Sequence, residues 1–290
     1  MLRRRHRGIA DLLILLLCLA LVSLVQYLSG GGGVGIAGSG NSARAGEIVS
    51  IALAELLRAT DDFSERAELG RGGFGVVFGT HSRLPGLQRE GRCAVKRLHA
   101  STAETRKGLH KEVTLLGKCR HENLLPLLGV CLDRRALCLV YPLLTGGNLD
   151  DRLHRSAEAL QRLALLQPRP RGELPPAPST VGPLGWRERL RIVRDAMRAL
   201  VYLHTPSRGK GVVLHRDVKP TNILLDEQLN AKLADVELAT ESPELSSGRT
   251  HVSSRSLVGT AGYIDPLYAN SGQYSQHTDG FAMGAHACPA

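Results

Sequence analysis

The run His215-Arg216-Asp217-Val218-Lys219-Pro220-Thr221-Asn222 limits what this chain can fold into more than any other stretch. It puts an acid, a lysine two residues on and an asparagine five residues on into one short segment. Those are parts of a phosphoryl-transfer site. Asp217 takes a proton from an attacking hydroxyl, Lys219 faces the transferring phosphate, and the amide oxygen of Asn222 holds Mg²⁺. Three further motifs keep it company. Gly70-Arg71-Gly72-Gly73-Phe74-Gly75-Val76-Val77 fits G-x-G-x-x-G-x-V, Ala94-Val95-Lys96 follows, and Asp235-Val236-Glu237 begins 18 residues after Asp217.

A glycine-rich run alone more often marks an ordinary turn. Here Gly70, Gly72 and Gly75 lie between strand-like flanks, and such a turn opens backbone N–H groups to phosphate. Lys96 comes 21 residues after Gly75 within an apolar strand pattern, which favours a phosphate clamp over a solvated surface charge. Glu112 falls on a helix expected over Leu109–Cys119 and can pair with Lys96, aiming the ammonium at the α- and β-phosphates. An exposed helix glutamate is the competing reading. Asp235 is the acid for the Mg²⁺ that bridges β- and γ-phosphate oxygens, and hard oxygen ligands suit that ion. ATP and Mg²⁺ are the cofactors this chemistry requires.

With 290 residues, 43% of them hydrophobic, the chain has ample material for one or two domains. The formal net charge of +10 would suit nucleic acid or an anionic membrane surface. Aromatics are only 4% and do not interleave with basic residues, so no nucleic-acid partner is expected. Cys18, Cys93, Cys119, Cys131, Cys138 and Cys288 form no C-x-x-C pair and no zinc spacing, so they read as reduced thiols.

The basic stretch 1–8 precedes a twenty-residue run, Ile9–Leu28, that is apolar except for Asp11, Ser23 and Gln26. A helix of that length spans about 30 Å, the hydrocarbon thickness of a bilayer. Ala43-Arg44-Ala45 fits a signal-cleavage pattern but lies too far from the run, which favours a single uncleaved transmembrane anchor followed by a glycine-rich linker, 29–46. The arginines ahead of the run would hold the N-terminus in the cytosol, whereas ATP chemistry and free thiols place the remainder there. The expectation is a single-pass, membrane-tethered protein with residues 47–290 facing the cytosol.

Ile48–Thr60 has the apolar spacing of an amphipathic helix, and residues 67–99 read as three β-stretches separated by turns. Leu124–Val130 and Ala136–Tyr141 are strand-like, Asn148–Leu153 begins a helix, and Trp186–Leu203 carries a long helical pattern. Residues 155–185 change character through Gln167-Pro168-Arg169-Pro170-Arg171-Gly172 and Leu174-Pro175-Pro176-Ala177-Pro178, and are expected to be a disordered surface insertion.

Together these motifs resemble a eukaryotic protein kinase of the receptor-like and interleukin-1-receptor-associated (Pelle) branch of serine/threonine kinases. The resemblance rests on "ATDDFSERAELGRGGFGVVF", "HENLLPLLGVCLD", "LCLVY" with "GGNLDDRLH", "RALVYLH", "HRDVKPTNILLD" and "VGTAGYIDP", over roughly 50–284. It implies an α+β, two-lobed fold, with a β-rich lobe at 64–144 and a helical lobe at 145–290. It implies that Arg71, Gly73, Phe74, Val77 and Ala94 join the nucleotide site, that Tyr141 is the gatekeeper, and that Pro142 to Leu144 meet adenine. Thr260 would face a protein substrate bearing a serine or threonine hydroxyl. Arg216 would accompany control by activation-loop phosphorylation.

Departures from that pattern are specific. Val236 is smaller than the usual phenylalanine, Glu237 replaces a permissive glycine and adds charge beside a phosphate site, and Leu267 stands where a glutamate is usual. Gln276–Gly284 resembles the start of a long central helix, with Asp279 bracing the catalytic loop, so the helical lobe is expected to be incomplete. ATP-dependent phosphorylation of proteins is therefore the primary reading. An inactive, membrane-attached binding module or a truncated product without folded function are the alternatives.

Overall fold

The computed structural model describes residues 48–87, 91–99, 102–167, 182–254 and 256–285. The basic stretch 1–8, the expected anchor 9–28, the linker 29–46 and residues 168–181 of the insertion lie outside these. Among the described residues no helix is long and apolar enough to cross a membrane. Of the described residues, 48–196 and 223–237 make one body, and 197–222 with 238–285 make a second.

The first body is built on a six-stranded sheet of order β1-β5-β6-β4-β3-β2. Its strands are β1 Val49–Ser50, β2 Glu68–Arg71, β3 Gly75–Gly79, β4 Cys93–Leu98, β5 Gly129–Asp133 and β6 Ala136–Pro142. All neighbours are antiparallel except β1, which pairs parallel to β5. The three β-stretches expected in 67–99 are present as β2, β3 and β4. The stretch expected over Leu124–Val130 forms a strand only from Gly129, as β5. Arg134 and Arg135 turn β5 into β6, and Asp133 accepts from the Arg135 backbone N–H at 2.8 Å, fixing the hairpin register.

One face of this sheet buries Phe78, Cys93, Val95, Cys131, Cys138 and Val140 with Leu53, Leu56 and Ala59 of helix α1, Leu53–Ala59. Burying such side chains contributes about 1.5–3 kcal/mol each for the larger ones. The amphipathic pattern of 48–60 is thus divided: its first residues add a strand and the remainder forms the helix. Cys93, Cys119, Cys131 and Cys138 are buried and in no disulfide. Burial pushes the Cys138 thiol up to about 12, which keeps it protonated and unreactive.

Helix α2, Ala103–Lys118, starts six residues before the expected Leu109 because Thr102 caps it, its hydroxyl accepting from the Thr105 N–H at 3.1 Å. Helix α3, Leu149–His154, follows its Asn148 cap. The disordered insertion expected over 155–185 is corrected by helix α4, Ala157–Leu166. Ser156 caps α4, and Ala159, Leu163 and Ala164 are buried. The proline-rich composition that suggested disorder begins only at Pro168, after the helix has ended. Helix α5, Trp186–His204, has the expected length.

In the second body Val212–Leu214 pairs with Thr240–Ser242, and Val252–Ser253 pairs with Gln273–Tyr274. Val212, Leu214, Tyr268 and Tyr274 form its buried cluster, with Leu245, Val252 and Ile264 packed against them. Short helices α6, Pro243–Ser246, and α7, Pro266–Ser271, each start with proline behind a Ser or Asp cap. Helix α8, Gln276–Ala285, carries Asp279 into the interior. Leu267 and Phe281 stay exposed.

Candidate active site

Two sets of candidate side chains occur, one in each body. In the first, β2 and β3 flank the glycine-rich turn. A Cβ at Gly70, Gly72 or Gly73 would meet nothing within 4 Å, whereas one at Gly75 would run into the Arg97 carbonyl oxygen. The Gly72 N–H donates to the Gly75 carbonyl at 2.9 Å, which closes the turn on itself. Phe74 at its tip is exposed. Val77 and Ala94 lie on β3 and β4, where Val77 pairs with Lys96. Leu143 donates its N–H to the Arg92 carbonyl at 3.0 Å, tying the segment that ends at Leu144 to the sheet.

Lys96 does not make the pair expected of it. Its ammonium donates to Glu237 Oε2 at 2.9 Å and to Asp235 Oδ1 at 3.2 Å. Burial alone would lower the lysine, but the charges of Asp235, Glu112 and Glu237 outweigh it and hold the ammonium protonated. Asp235 takes a left-handed backbone, φ 62°, which costs a non-glycine residue about 1–3 kcal/mol and is common at functional sites. Val236 is buried. Glu237 is not among the positive-φ residues, so the glycine it replaces was not required by this backbone. The contact between Lys96 and Glu237 escaped the sequence reading.

Glu112 instead accepts from the Tyr141 hydroxyl at 2.7 Å. Both side chains are buried, Glu112 to 3% exposure. Burial pushes the Glu112 carboxyl above its ordinary range, against the opposing pull of Lys96 and of the tyrosine. Tyr141→Phe removes the donor and leaves that carboxylate without its hydrogen bond. The chain is expected to lose about 1–3 kcal/mol of stability, seen as a lower urea midpoint at unchanged slope. An unchanged midpoint would show that this bond does not hold Glu112.

In the second body Asp217, Lys219, Asn222 and Thr260 converge. Asp217 Oδ2 accepts from Lys219 Nζ at 2.7 Å, and Asp217 Oδ1 accepts from the Thr260 hydroxyl at 2.6 Å. Lys219 also reaches Thr260 at 2.9 Å, closing a triangle. Burial would push Asp217 up, but the hydrogen bonds from Lys219 and Thr260 hold it below the ordinary carboxylate range. Asp217 is therefore an anion at neutral pH. Asn222 sits on a 3₁₀ turn, Pro220–Asn222, and donates its amide N–H to the Asp217 carbonyl at 2.9 Å and to its carboxylate at 3.2 Å. Its amide oxygen accepts no hydrogen bond among the described residues and faces no competing donor.

Arg216, φ 68°, lies 4.3 Å from the Tyr274 ring and bonds Thr240 and the Tyr268 hydroxyl. The loop is braced from α8. Asp279 accepts from the His215 and Arg216 backbone N–H groups at 2.8 Å each, and pairs with His204 Nε2 at 2.8 Å. The histidine partner was not foreseen.

These are the parts of a two-lobed, kinase-like fold. Residues 63–288 match the family model of the protein kinase domain, and the chain belongs to that family. It is 36% identical over 236 residues to an L-type lectin-domain containing receptor kinase V.5 from Arabidopsis thaliana, covering 80% of this chain and 30% of the relative. It is 33% identical over 238 residues to the receptor-like serine/threonine-protein kinase ALE2 of the same plant, covering 82% and 27%. A cysteine-rich receptor-like protein kinase 10, also from Arabidopsis thaliana, is 35% identical over 227 residues, covering 78% and 29%. The chain thus spans about 30% or less of the length of these curated relatives.

Proposed function

We propose that the chain transfers the γ-phosphoryl group of ATP to serine or threonine hydroxyls of proteins. The observation that carries this is Asp217, a carboxylate held anionic between Lys219 and Thr260. An anionic acid on a fixed loop can accept the hydroxyl proton, Lys219 can neutralise charge on the group in transfer, and Thr260 can orient both. The residues present fit the cofactors. Asp235 and Asn222 offer hard oxygens for Mg²⁺, and that ion would neutralise phosphate charge. Lys96 supplies the cation for the phosphates, with Gly70–Gly75 offering backbone N–H groups. Glu112, held by Tyr141, adds its charge to the field around this lysine.

We assign the kinase region to residues 47–290 and the branch to the receptor-like and Pelle-type serine/threonine kinases. The family match over 63–288 and the receptor-like names of the relatives support the kinase region and its receptor-like character, and the motifs in the sequence support the Pelle-type branch. The apolar run 9–28 supports attachment to a membrane; the need for ATP and the reduced thiols, set against the arginines ahead of the run, support a kinase region in the cytosol. A second reading, an inactive binding module, is favoured by one observation: Lys96 is already engaged by two carboxylates.

The test is transfer of label from γ-labelled ATP with Mg²⁺ to a general protein substrate. The wild-type chain should exceed Lys96→Met by at least about a hundredfold, the loss expected when a phosphate-clamping charge is removed. Equal transfer by the two would sink the reading.

A further inference from the structure

We propose that Glu237 is an internal anion that holds Lys96 and must be displaced before the ammonium can meet a phosphate. This rests on the nucleotide-site reading above and adds a regulation to it.

The geometry is direct. Of the two hydrogen bonds from Lys96 Nζ, the shorter goes to Glu237, at 2.9 Å against 3.2 Å for Asp235. Glu112 is turned to the Tyr141 hydroxyl instead. Three carboxylates therefore share the field of one ammonium. Both ends of the contact are shielded, with side-chain exposures of 14% for Lys96 and 18% for Glu237. Charges this sheltered are little screened by salt, and a hydrogen bond between two ions is about twice as strong as a neutral one.

A triphosphate arriving here meets a lysine that is not free. It must break the bond to Glu237 and then sit beside that carboxylate's charge. Asp235 and Glu112 have other tasks in the site, whereas Glu237 has none: the backbone at 237 does not need glycine, and no step of the transfer calls for a third acid. Its removal should leave the fold and the remaining groups in place.

The experiment is equilibrium binding of ATP, with and without Mg²⁺, to the full chain, with no turnover measured. The variants are Glu237→Gln, which is isosteric and keeps the packing, Glu237→Ala, Lys96→Met and the Lys96→Met/Glu237→Gln double variant. Glu237→Gln is expected to bind ATP about tenfold more tightly than wild type, the worth of one charged hydrogen bond less what Asp235 retains. Glu237→Ala should behave alike. The gain should be much smaller when Lys96 is already methionine, since only the repulsion by the carboxylate is then relieved, a dependence that a merely structural role for Glu237 would not produce. Unchanged or weaker binding in Glu237→Gln, with Lys96→Met still impaired, would overturn the internal anion alone. No ATP binding by wild type or any variant, all melting cooperatively, would overturn it together with the nucleotide-site reading.

Discussion

Asp217→Asn is expected to lower kcat for phosphoryl transfer by about 10²–10⁴-fold while leaving the KM for ATP close to its original value. Asparagine has the shape of aspartate and can keep its oxygen toward Lys219 and Asn222 while its amide N–H donates to the Thr260 hydroxyl, so the loop can keep its geometry. What disappears is the site for the hydroxyl proton. The carboxylate is held in its basic form by Lys219 and Thr260 against the opposing effect of its own burial. An amide in that place cannot take a proton at neutral pH. Steady-state kinetics at saturating ATP, beside a thermal melt, separates loss of chemistry from loss of fold. A variant that kept more than about a tenth of kcat would take the role of base away from Asp217.

Asp279→Ala should be the most destabilising single change in the second body, costing about 3–5 kcal/mol. The acid is 1% exposed and serves His204 and the backbone N–H groups of His215 and Arg216. Alanine leaves those buried donors without an acceptor, and each unsatisfied group costs about 1–3 kcal/mol. Against a total stability of about 5–15 kcal/mol, that is enough to unfold much of the population. Burial alone would raise the carboxyl of Asp279, but the hydrogen bond and charge of His204 outweigh it and the group lies below its ordinary range. Its contribution is thus fully present above the value of an unfolded aspartate and is lost as pH falls through the lowered folded value. Acid unfolding followed by circular dichroism should therefore lose part of its dependence below about pH 4 in the alanine variant. Matching urea midpoints for wild type and variant would remove Asp279 as the brace.

Much of this was legible in the residues. The three strands between 67 and 99 follow from alternation and glycine turns, and the candidate loop at 215–222 from three residue types at fixed spacing. Partnerships were less legible. Which acid holds Lys96 depends on how deeply each lies and on what else competes for it. Tyr141, 29 residues from Glu112, takes that carboxylate, and Glu237, a residue noted only as a departure, takes the lysine. Helix α4 was missed for a different reason. Ten residues of good helix formers behind a serine cap were averaged with the prolines that follow them. The left-handed backbone at Arg216 carries no sequence signal, whereas Asp235 is of a residue type that tolerates that region, a weak signal only.

The bracing of residues 215–216 by Asp279 joins segments far apart in the chain. The N–H groups of His215 and Arg216 find their acceptor 64 and 63 residues further along. The six-stranded sheet is assembled largely from hairpins of neighbouring strands, which close early because short loops cost little entropy. A chain growing from its N-terminus can therefore complete β2 to β6 well before the loop that carries Asp217 is locked. Until α8 docks, the N–H groups of His215 and Arg216 lack the acceptor that holds them in the folded chain.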